Sequence, residues 1–218
     1  GENGILLNRS SNNTVSTNFL LNNSLSGLFG MNSSDTNLSN NFAAGNKQDG
    51  FTLTDSLRNN LTNNTATGNH DDGFDLTNVS GSILINNSAS FNSDNGFILN
   101  DSSNDTLNNN IAIHNRVSGF SEINSVDNNL TNNSANYNGE NGFFLHDVSG
   151  GDLFGNNATG NRQGLLVEDS SDVRLTQNNL SGNSYYGLNI SQSNSLTLRN
   201  NTMDGNKYNF KVDGTVNE

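Results

Sequence analysis

The sequence contains no cysteine, which excludes a disulfide framework and a metal site built from thiolates. Basic residues are also scarce: 9 Lys and Arg stand against 21 Asp and Glu, and the formal net charge is -12. This balance argues against a nucleic-acid partner, because nucleic-acid binding depends on Lys and Arg. It favours either a solvated outer surface or a surface that recruits cations.

Long apolar runs are missing as well. No stretch approaches the ~18 residues that a membrane-spanning helix needs, so we expect no membrane insertion in this segment. Only 30% of the residues are hydrophobic, a proportion that by itself is typical of disorder. These apolar residues recur in register, however, and a repeating chain can bury them by stacking one repeat on the next.

The recurring element is a glycine followed by an apolar residue. It returns every 23 residues over most of the chain, and the step shortens to 22 after Gly142 and again after Gly187. A fixed period of this length is typical of a solenoid, in which each repeat forms one turn, or rung. Residues 1–218 are therefore predicted to form one domain that starts in mid-repeat at Gly1 and carries no obvious cap. The repeats begin at Gly4, Gly27, Gly50, Gly73, Gly96, Gly119, Gly142, Gly164, Gly187 and Asn209.

Each rung carries three short strand patterns and no helical periodicity. After the glycine, apolar residues at i and i+2 share one face, as Phe51 and Leu53 do, and Thr52 between them is expected to be exposed. A second strand centres on Leu, as at Leu61, and a third usually on Ala, as at Ala66. The predicted fold class is all-β: a parallel β-helix of about nine to ten rungs.

One rung breaks the apolar pattern of the first strand. Glu122 occupies the second apolar position, and the apolar Ile123 follows it. We expect a local bulge to turn Ile123 inward and Glu122 outward.

Two Asn positions recur in every rung, one after the second strand and one at the end of the third. A side-chain amide carries a donor and an acceptor, so Asn side chains in successive rungs can bond to each other and to the turn backbone. Asn also tolerates the left-handed conformation of sharp turns. We interpret both sets as structural ladders and not as sugar-binding amides. The first predicted ladder is Asn18, Asn41, Asn64, Asn87, Asn110, Asn133, Asn156, Asn178 and Asn201, and the second is Asn23, Asn46, Asn69, Asn92, Asn115, Asn138, Asn161, Asn183 and Asn206.

The succession Gly-Phe-x-Leu, x-Leu-x-Asn-Asn and x-Ala-x-x-Asn resembles the right-handed parallel β-helix repeat of pectin-lyase-like and NosD-like proteins. The resemblance covers the whole chain, and the Asn-rich, cysteine-free version is similar to surface proteins of methanogenic archaea and some bacteria. It implies a right-handed β-helix. It leaves function open, because the family includes lyases, glycosidases, epimerases, adhesins and structural arrays.

A polar stripe follows the first strand, and within it Asp101, Asp147 and Asp169 are candidate ligands for Ca²⁺. Asp147 and Asp169 occupy adjacent rungs and are flanked by His146 and Glu168. Two carboxylates about 5 Å apart would also suit a retaining glycosidase. Asp and Asn are common turn residues. We favour the turn interpretation over cation binding, and cation binding over catalysis.

Other residues of the corners are also interpreted as structural. An acidic stripe before the glycines, which includes Asp49 and Asp72, is expected to be a solvated corner. Phe91, His114 and Tyr137 share one register on consecutive rungs. They would suit either a sugar-stacking platform or an aromatic stack that stabilises the rod, and we favour the stack.

Many Asn residues lie in N-x-Ser/Thr sequons, which permit glycosylation if the chain is exported. An Asn-, Ser- and Thr-rich repeat also creates such triplets by chance. The candidate glycosylation sites include Asn37, Asn60 and Asn129.

The enzymatic branches of the resemblance lack their motifs in this chain. Pectate-lyase-type catalysis uses an Arg in a Pro-containing motif, and there is no Pro; the Asp-Pro-His of alginate epimerases is absent. Of the pectinase-like motifs only the dipeptide Asp71-Asp72 is present. We therefore predict a non-enzymatic, extracellular structural protein with no cofactor except possible Ca²⁺. Its expected partners are copies of itself, stacked head-to-tail or laterally, and glycans. The alternative is a carbohydrate-binding or carbohydrate-active β-helix.

Overall fold

The computed structural model describes residues 2–214, which form a parallel β-helix of about nine turns with three sheets. The predicted fold class is confirmed, including the stacking of each repeat on the one before it. The predicted start at Gly1 and the last residues, 215–218, lie outside the described residues. Among residues 2–214, no helix is long and apolar enough to cross a membrane.

All strands are parallel to their neighbours, and each sheet collects one strand from each rung. The first sheet has 10 strands: β1 (Ile5–Asn8), β4 (Leu28–Met31), β7 (Phe51–Thr54), β10 (Phe74–Thr77), β13 (Phe97–Asn100), β16 (Phe120–Ile123), β19 (Asn141–His146), β21 (Gln163–Glu168), β23 (Tyr186–Ser191) and β25 (Tyr208–Asp213). The second has 9: β2 (Thr14–Ser16), β5 (Asn37–Ser39), β8 (Asn60–Thr62), β11 (Ile83–Ile85), β14 (Thr106–Asn108), β17 (Asn129–Thr131), β20 (Asp152–Phe154), β22 (Arg174–Thr176) and β24 (Thr197–Arg199). The third has 6: β3 (Phe19–Leu21), β6 (Phe42–Ala44), β9 (Thr65–Thr67), β12 (Ser88–Ser90), β15 (Ile111–Ile113) and β18 (Ser134–Asn136). Beyond β18 the third side continues as single bridges, such as Asn157 to Asn179.

A thin core runs along the axis. Phe rings of the first sheet stack in neighbouring rungs, and the centroids of Phe74 and Phe97 lie 4.6 Å apart with nearly parallel planes. Buried Leu residues of the second sheet and Ala residues of the third fill the rest of each rung. Large side chains on one sheet therefore face small ones on another, which fills a narrow cross-section without voids.

The glycine at the start of each rung is required by close backbone contact. A Cβ at Gly96 would lie 2.6 Å from the carbonyl oxygen of Gly119 and 2.8 Å from the Cβ of Ala112. No side chain fits there, which explains why the period is anchored on glycine.

Both Asn ladders are present and continuous in the described chain. Asn64, which is fully buried, shows their geometry. Its backbone N–H and its Nδ2 both donate to Oδ1 of Asn87, at 2.9 and 3.1 Å, and Nδ2 also donates to the carbonyl oxygen of Leu38 at 2.8 Å. Because each amide satisfies groups in two other rungs, the ladders fix the register of the stack.

The predicted bulge at Glu122 is wrong. β13, β16 and β19 pair without interruption, so Glu122 lies between Leu99 and Leu145 in the inward row and is 2% exposed. Ile123 faces outward. A bulge here would break hydrogen bonds to the strands on both sides, and the regular ladder prevails over the side-chain preference.

The expected exposure of Thr52 is also wrong. Thr52 points away from the core, but it is only 6% exposed and donates a hydrogen bond to Asp49 Oδ2 at 2.7 Å. Ser26, which also precedes a first-sheet strand, contacts the Thr52 hydroxyl at 2.9 Å. Side chains that precede the strands therefore cover this outward residue.

Candidate functional site

The outer face of the first sheet contains a groove. One column of outward residues on this face includes Thr52, Asp75, Ile98, Ser121, Phe144 and Leu166, and the last four of these line the groove. Over the later rungs the groove encloses about 300 Å³, with Glu140 before the strands and Glu168 at their ends among its lining residues. Its floor combines apolar side chains with acidic borders.

A carboxylate cluster lies at the border of the same outward column, beside Thr52 and Asp75. Asp49, Asp71 and Asp72 each offer a carboxylate oxygen, and these three atoms lie within 4.8 Å of one another. Asp71 is exposed, whereas Asp49 and Asp72 are 8% and 9% exposed, so the prediction of a solvated corner is wrong for those two residues. This cluster brings together acids from two neighbouring rungs.

Hydrogen bonds hold the two buried carboxylates in place. Asp49 Oδ1 accepts from the backbone N–H of Asp72 at 3.0 Å, and its Oδ2 accepts from Thr52. Asp72 Oδ1 accepts from the backbone N–H and the Nδ2 of Asn95, at 2.7 and 3.0 Å. No donor among residues 2–214 bonds Asp72 Oδ2, and this oxygen is not among the buried unpaired atoms, so it is accessible from outside.

Burial disfavours the ionised forms of the carboxyl groups in this cluster. Burial and, second, the charge of Asp49 raise the pKa of Asp72 to about 8, although the hydrogen bonds from Asn95 oppose the rise. Burial likewise raises the pKa of Asp49 to about 6 and shifts the pKa of Asp75 upward. A cation at this position would relieve the cost of ionising these groups.

The predicted calcium stripe is only partly brought together. Asp147 and Asp169 group with His146, and their ligand atoms lie within 4.8 Å of one another. His146 Nε2 is 3.4 Å from Asp147, and its Nδ1 is 3.7 Å from Asp169. Asp101 is not part of this group, because Asn124 occupies the rung between it and Asp147. Cation binding here stays a prediction.

A second acidic group lies inside the rod, where sequence analysis did not place one. Glu122 and Asp105 are 2% and 0% exposed, and Asn128 lies with them. Burial, opposed by the nearby Asn128 amide and assisted by the charge of Asp105, raises the pKa of Glu122 to about 7. Glu122 Oε1, Asp105 Oδ2 and Asn128 Nδ2 have no hydrogen-bond partner within the described chain. The signal in the sequence was the break of the apolar period at Glu122.

The aromatic column is exposed and strained. The centroid distances are 5.1 Å from Phe91 to His114 and 5.5 Å from His114 to Tyr137, and Phe91 and Tyr137 are 62% exposed. All three have φ of 56°, in the left-handed region that bulky residues avoid. Three such residues cost roughly 3–6 kcal/mol in total. Two ring contacts return only roughly 1–3 kcal/mol. Exposure and a left-handed backbone distinguish this column from the buried Phe row of the first sheet.

The candidate glycosylation sites are accessible. Asn37, Asn60 and Asn129 are exposed and each is the first residue of a second-sheet strand. Asn129 also borders a shallow depression of about 530 Å³, which contains the ion pair of Asp152 and Arg174. This exposure permits modification; glycosylation itself stays a prediction.

The family described as "Right handed beta helix region" matches residues 1–119 and 76–217. No curated protein matches the chain significantly.

Solved structures share the fold at low identity. The A-module of the mannuronan C-5 epimerase AlgE4 from Azotobacter vinelandii is 19% identical, with a TM-score of 0.68 over 95% of this chain and 58% of that one. The periplasmic alginate epimerase AlgG is 20% identical, with a TM-score of 0.73 over 92% of this chain and 47% of that one. The catalytic domain of a GH87 α-1,3-glucanase is 16% identical, with a TM-score of 0.61 over 96% and 49%. The chain thus spans about half of the length of these structures.

Proposed function

The chain belongs to the right-handed β-helix family, and from that premise we propose that it binds an acidic polysaccharide, outside the cytoplasm, along the outer face of its first sheet. In this proposal a divalent cation joins the carboxylates of the polysaccharide to those of Asp49, Asp71 and Asp72. The observation that supports it is the Oδ2 of Asp72, which no donor in the described chain bonds and which lies beside the outward column that continues into the groove. Solved structures of the same fold include alginate and mannuronan epimerases, which supports a uronate as the ligand class.

Charge explains why the cation is needed. The protein carries a net charge of -12, and acidic residues border the groove. A polyuronate would be repelled by this surface at low ionic strength. Ca²⁺ takes 6–8 oxygen ligands, so three protein carboxylates leave positions for water and for a uronate carboxylate. Acidic protein and acidic glycan are then held by the same ion.

The test compares glycans with and without cation. Isothermal titration should show binding of alginate or polygalacturonate oligomers in millimolar CaCl₂ and its loss in EDTA. Asp72→Asn keeps an oxygen for Asn95 but loses the charge, and we expect at least ten-fold weaker Ca²⁺ and glycan binding. Asp101→Asn, an exposed acid outside both groups, is the matched control. Equal glycan binding in CaCl₂ and EDTA, or no difference between the two variants, would contradict the proposal.

Self-association is a second candidate function. β25 pairs with β23 on one edge, and Phe210 and Val212 on it are 49% and 55% exposed. An unpaired edge with exposed apolar side chains is a template for a further strand, either from a longer chain or from a second copy. Head-to-tail stacking of copies would extend both ladders and build a filament or surface layer.

Sedimentation velocity over a hundred-fold concentration range tests this candidate. We expect a concentration-dependent increase in mass that Phe210→Lys prevents, while Leu57→Lys, on the flank of the rod, leaves it unchanged. A monomer at every concentration would exclude stacking of copies.

A further inference from the structure

We propose that Asn129 carries an N-linked glycan and that the first sugar ring of this glycan lies in the depression of the second sheet, against the ring of Phe154. The occupant is part of the same molecule, attached one rung before the ring that it covers. The inference needs an exported chain, as the proposed function does, but it needs neither the groove of the first sheet nor a cation.

The sequon Asn129-Leu130-Thr131 occupies the whole of β17. Because side chains alternate along a strand, Leu130 is buried in the core, while Asn129 and Thr131 both point outward. The next strand of the sheet places Asp152 beside Asn129 and Phe154 beside Thr131. A sugar on the Asn129 amide is therefore attached one rung, or about 4.8 Å along the axis, from the residue that carries the phenyl ring.

The depression lies between two columns of outward residues. On one side is the ion pair of Asp152 and Arg174, whose guanidinium donates from Nη2 to Asp152 Oδ2 at 2.8 Å. On the other side is Phe154, with Thr131 before it and Thr176 after it in the same column. The volume of about 530 Å³ falls within the ~300–1,000 Å³ that is typical of ligand sites. The depression is thus large enough for a sugar ring.

These two sides match the two kinds of surface on a pyranose. Its C–H face packs on the ring of Phe154, which is 40% exposed and otherwise borders water. Its hydroxyl groups both donate and accept, so they can bond to the carboxylate, the guanidinium and the Thr hydroxyl groups around the ring. Since the glycan is tethered to the chain, its effective concentration at the depression is high, and weak contacts suffice to hold it.

Asn60 is a matched site that lacks this arrangement. Its sequon, Asn60-Leu61-Thr62, has the same three residues and fills β8 in the same way. The next rung places Ile83 beside Asn60 and Ile85 beside Thr62. Branched aliphatic side chains offer neither a flat ring face nor hydrogen-bonding groups. A glycan on Asn60 therefore has no surface of this kind to rest on.

The test uses the full chain, secreted from a eukaryotic host that attaches N-glycans, with occupancy measured by mass spectrometry of peptides. We expect Asn129 to be modified. Peptide N-glycosidase should release its glycan from the folded protein at least ten-fold more slowly than the glycan of Asn60. The two rates should become equal when the protein is denatured before the digestion, because the sequons are identical.

Phe154→Thr tests the role of the ring, since Thr131 and Thr176 already occupy the same column. This variant should raise the release rate at Asn129 to that at Asn60 without changing the occupancy. In NMR of the ¹³C-labelled glycan, it should also remove the upfield shift that the phenyl ring causes on protons of the first sugar. Ile85→Thr is the matched control and should leave the release rate at Asn129 unchanged.

Three outcomes would overturn the proposal. They are an unmodified Asn129 in the secreted protein, equal release at Asn60 and Asn129 from the folded chain, and wild-type release rates and sugar shifts in Phe154→Thr. A failure of uronate binding to the groove would leave the glycan at Asn129 standing, because the two sites lie on different sheets. The two proposals therefore fail independently.

Discussion

Asn residues in this chain have two different roles: some are buried and hydrogen-bonded between rungs, and others are exposed on the surface. Asn64 is buried and bonds groups in two other rungs, whereas Asn60, in the same rung, is exposed at the start of β8. Position within the rung, and not residue type, decides what each amide contributes.

Removal of a ladder amide should therefore be costly. We expect Asn64→Ala to lower the free energy of unfolding by about 1–3 kcal/mol, because it leaves buried backbone groups of neighbouring rungs unpaired. Asn60→Ala should change it by less than about 0.5 kcal/mol, as surface substitutions usually do. Urea unfolding of both variants measures the difference, and equal losses would refute the assignment of inside and outside.

Glu122 predicts a pH dependence of stability. Its pKa rises from 4.5 to about 7 on folding, so the carboxyl is neutral in both states at low pH. As the pH rises from 4.5 to about 7, the unfolded state ionises this carboxyl while the folded state keeps it protonated, so stability falls by about 3 kcal/mol at roughly 1.4 kcal/mol per pKa unit and levels off above pH 7. Glu122→Gln should remove this loss and be more stable than the wild type at pH 8.

The control for this prediction is Glu168→Gln, which changes a half-buried acid at the border of the groove. It should leave the pH profile between 5 and 8 unchanged. If Glu122→Gln and the wild type lose the same stability over that range, Glu122 does not titrate in the core.

At the scale of the element, the stacked Phe residues of the first sheet are the largest buried side chains of the protein. Phe97 contacts a ring on each side, at 4.6 and 4.7 Å. The row therefore distributes packing along the axis, since each ring contributes to two rung interfaces.

Phe97→Ala should destabilise the protein by about 3–5 kcal/mol, because it leaves a cavity that the ladders prevent from closing. Phe154→Ala, at a ring that is 40% exposed on the second sheet, should cost much less. Thermal unfolding followed by circular dichroism compares them, and a small effect at Phe97 would show that the stack relaxes around the gap.

The sequence predicts the features that repeat in every rung better than those that depend on a single rung. An apolar residue at the start of the first strand and the two ladder Asn residues repeat in every rung, so each position is specified about nine times over, and the predicted fold was confirmed. Thr52, Asp49 and Glu122 depend on single rungs. Their burial comes from the chain segment that covers the sheet or from the cost of breaking a ladder, and neither is visible in a residue pattern. The cluster at Asp72 was missed for this reason.

At the scale of the whole molecule, acidic side chains gather at two separate places. The group at Asp72 precedes first-sheet strands, and the group at His146 lies at the ends of later strands of that sheet. Cations would therefore contribute to the stability of separate parts of the rod.

Calcium should raise the melting temperature, and a chelator should lower it. If His146, Asp147 and Asp169 bind the ion, Asp147→Asn should reduce the increase in melting temperature that calcium causes. Asp101→Asn should leave that increase unchanged. Thermal scans up to millimolar CaCl₂ measure this. A melting temperature that is independent of calcium would exclude both groups as calcium sites.

Each rung places the same backbone groups above those of the rung before it. A whole repeat can therefore be deleted or duplicated in the gene without disturbing the stack. Loss or duplication of one whole repeat, such as residues 73–95, would keep the anchoring glycines and the ladder Asn residues of neighbouring rungs aligned. The register of every sheet would therefore survive. Loss of one residue inside a strand would instead turn its side chains to the wrong face. Genes for such rods can therefore lengthen and shorten by recombination between repeats, while the local sites, which belong to particular rungs, are gained or lost one at a time.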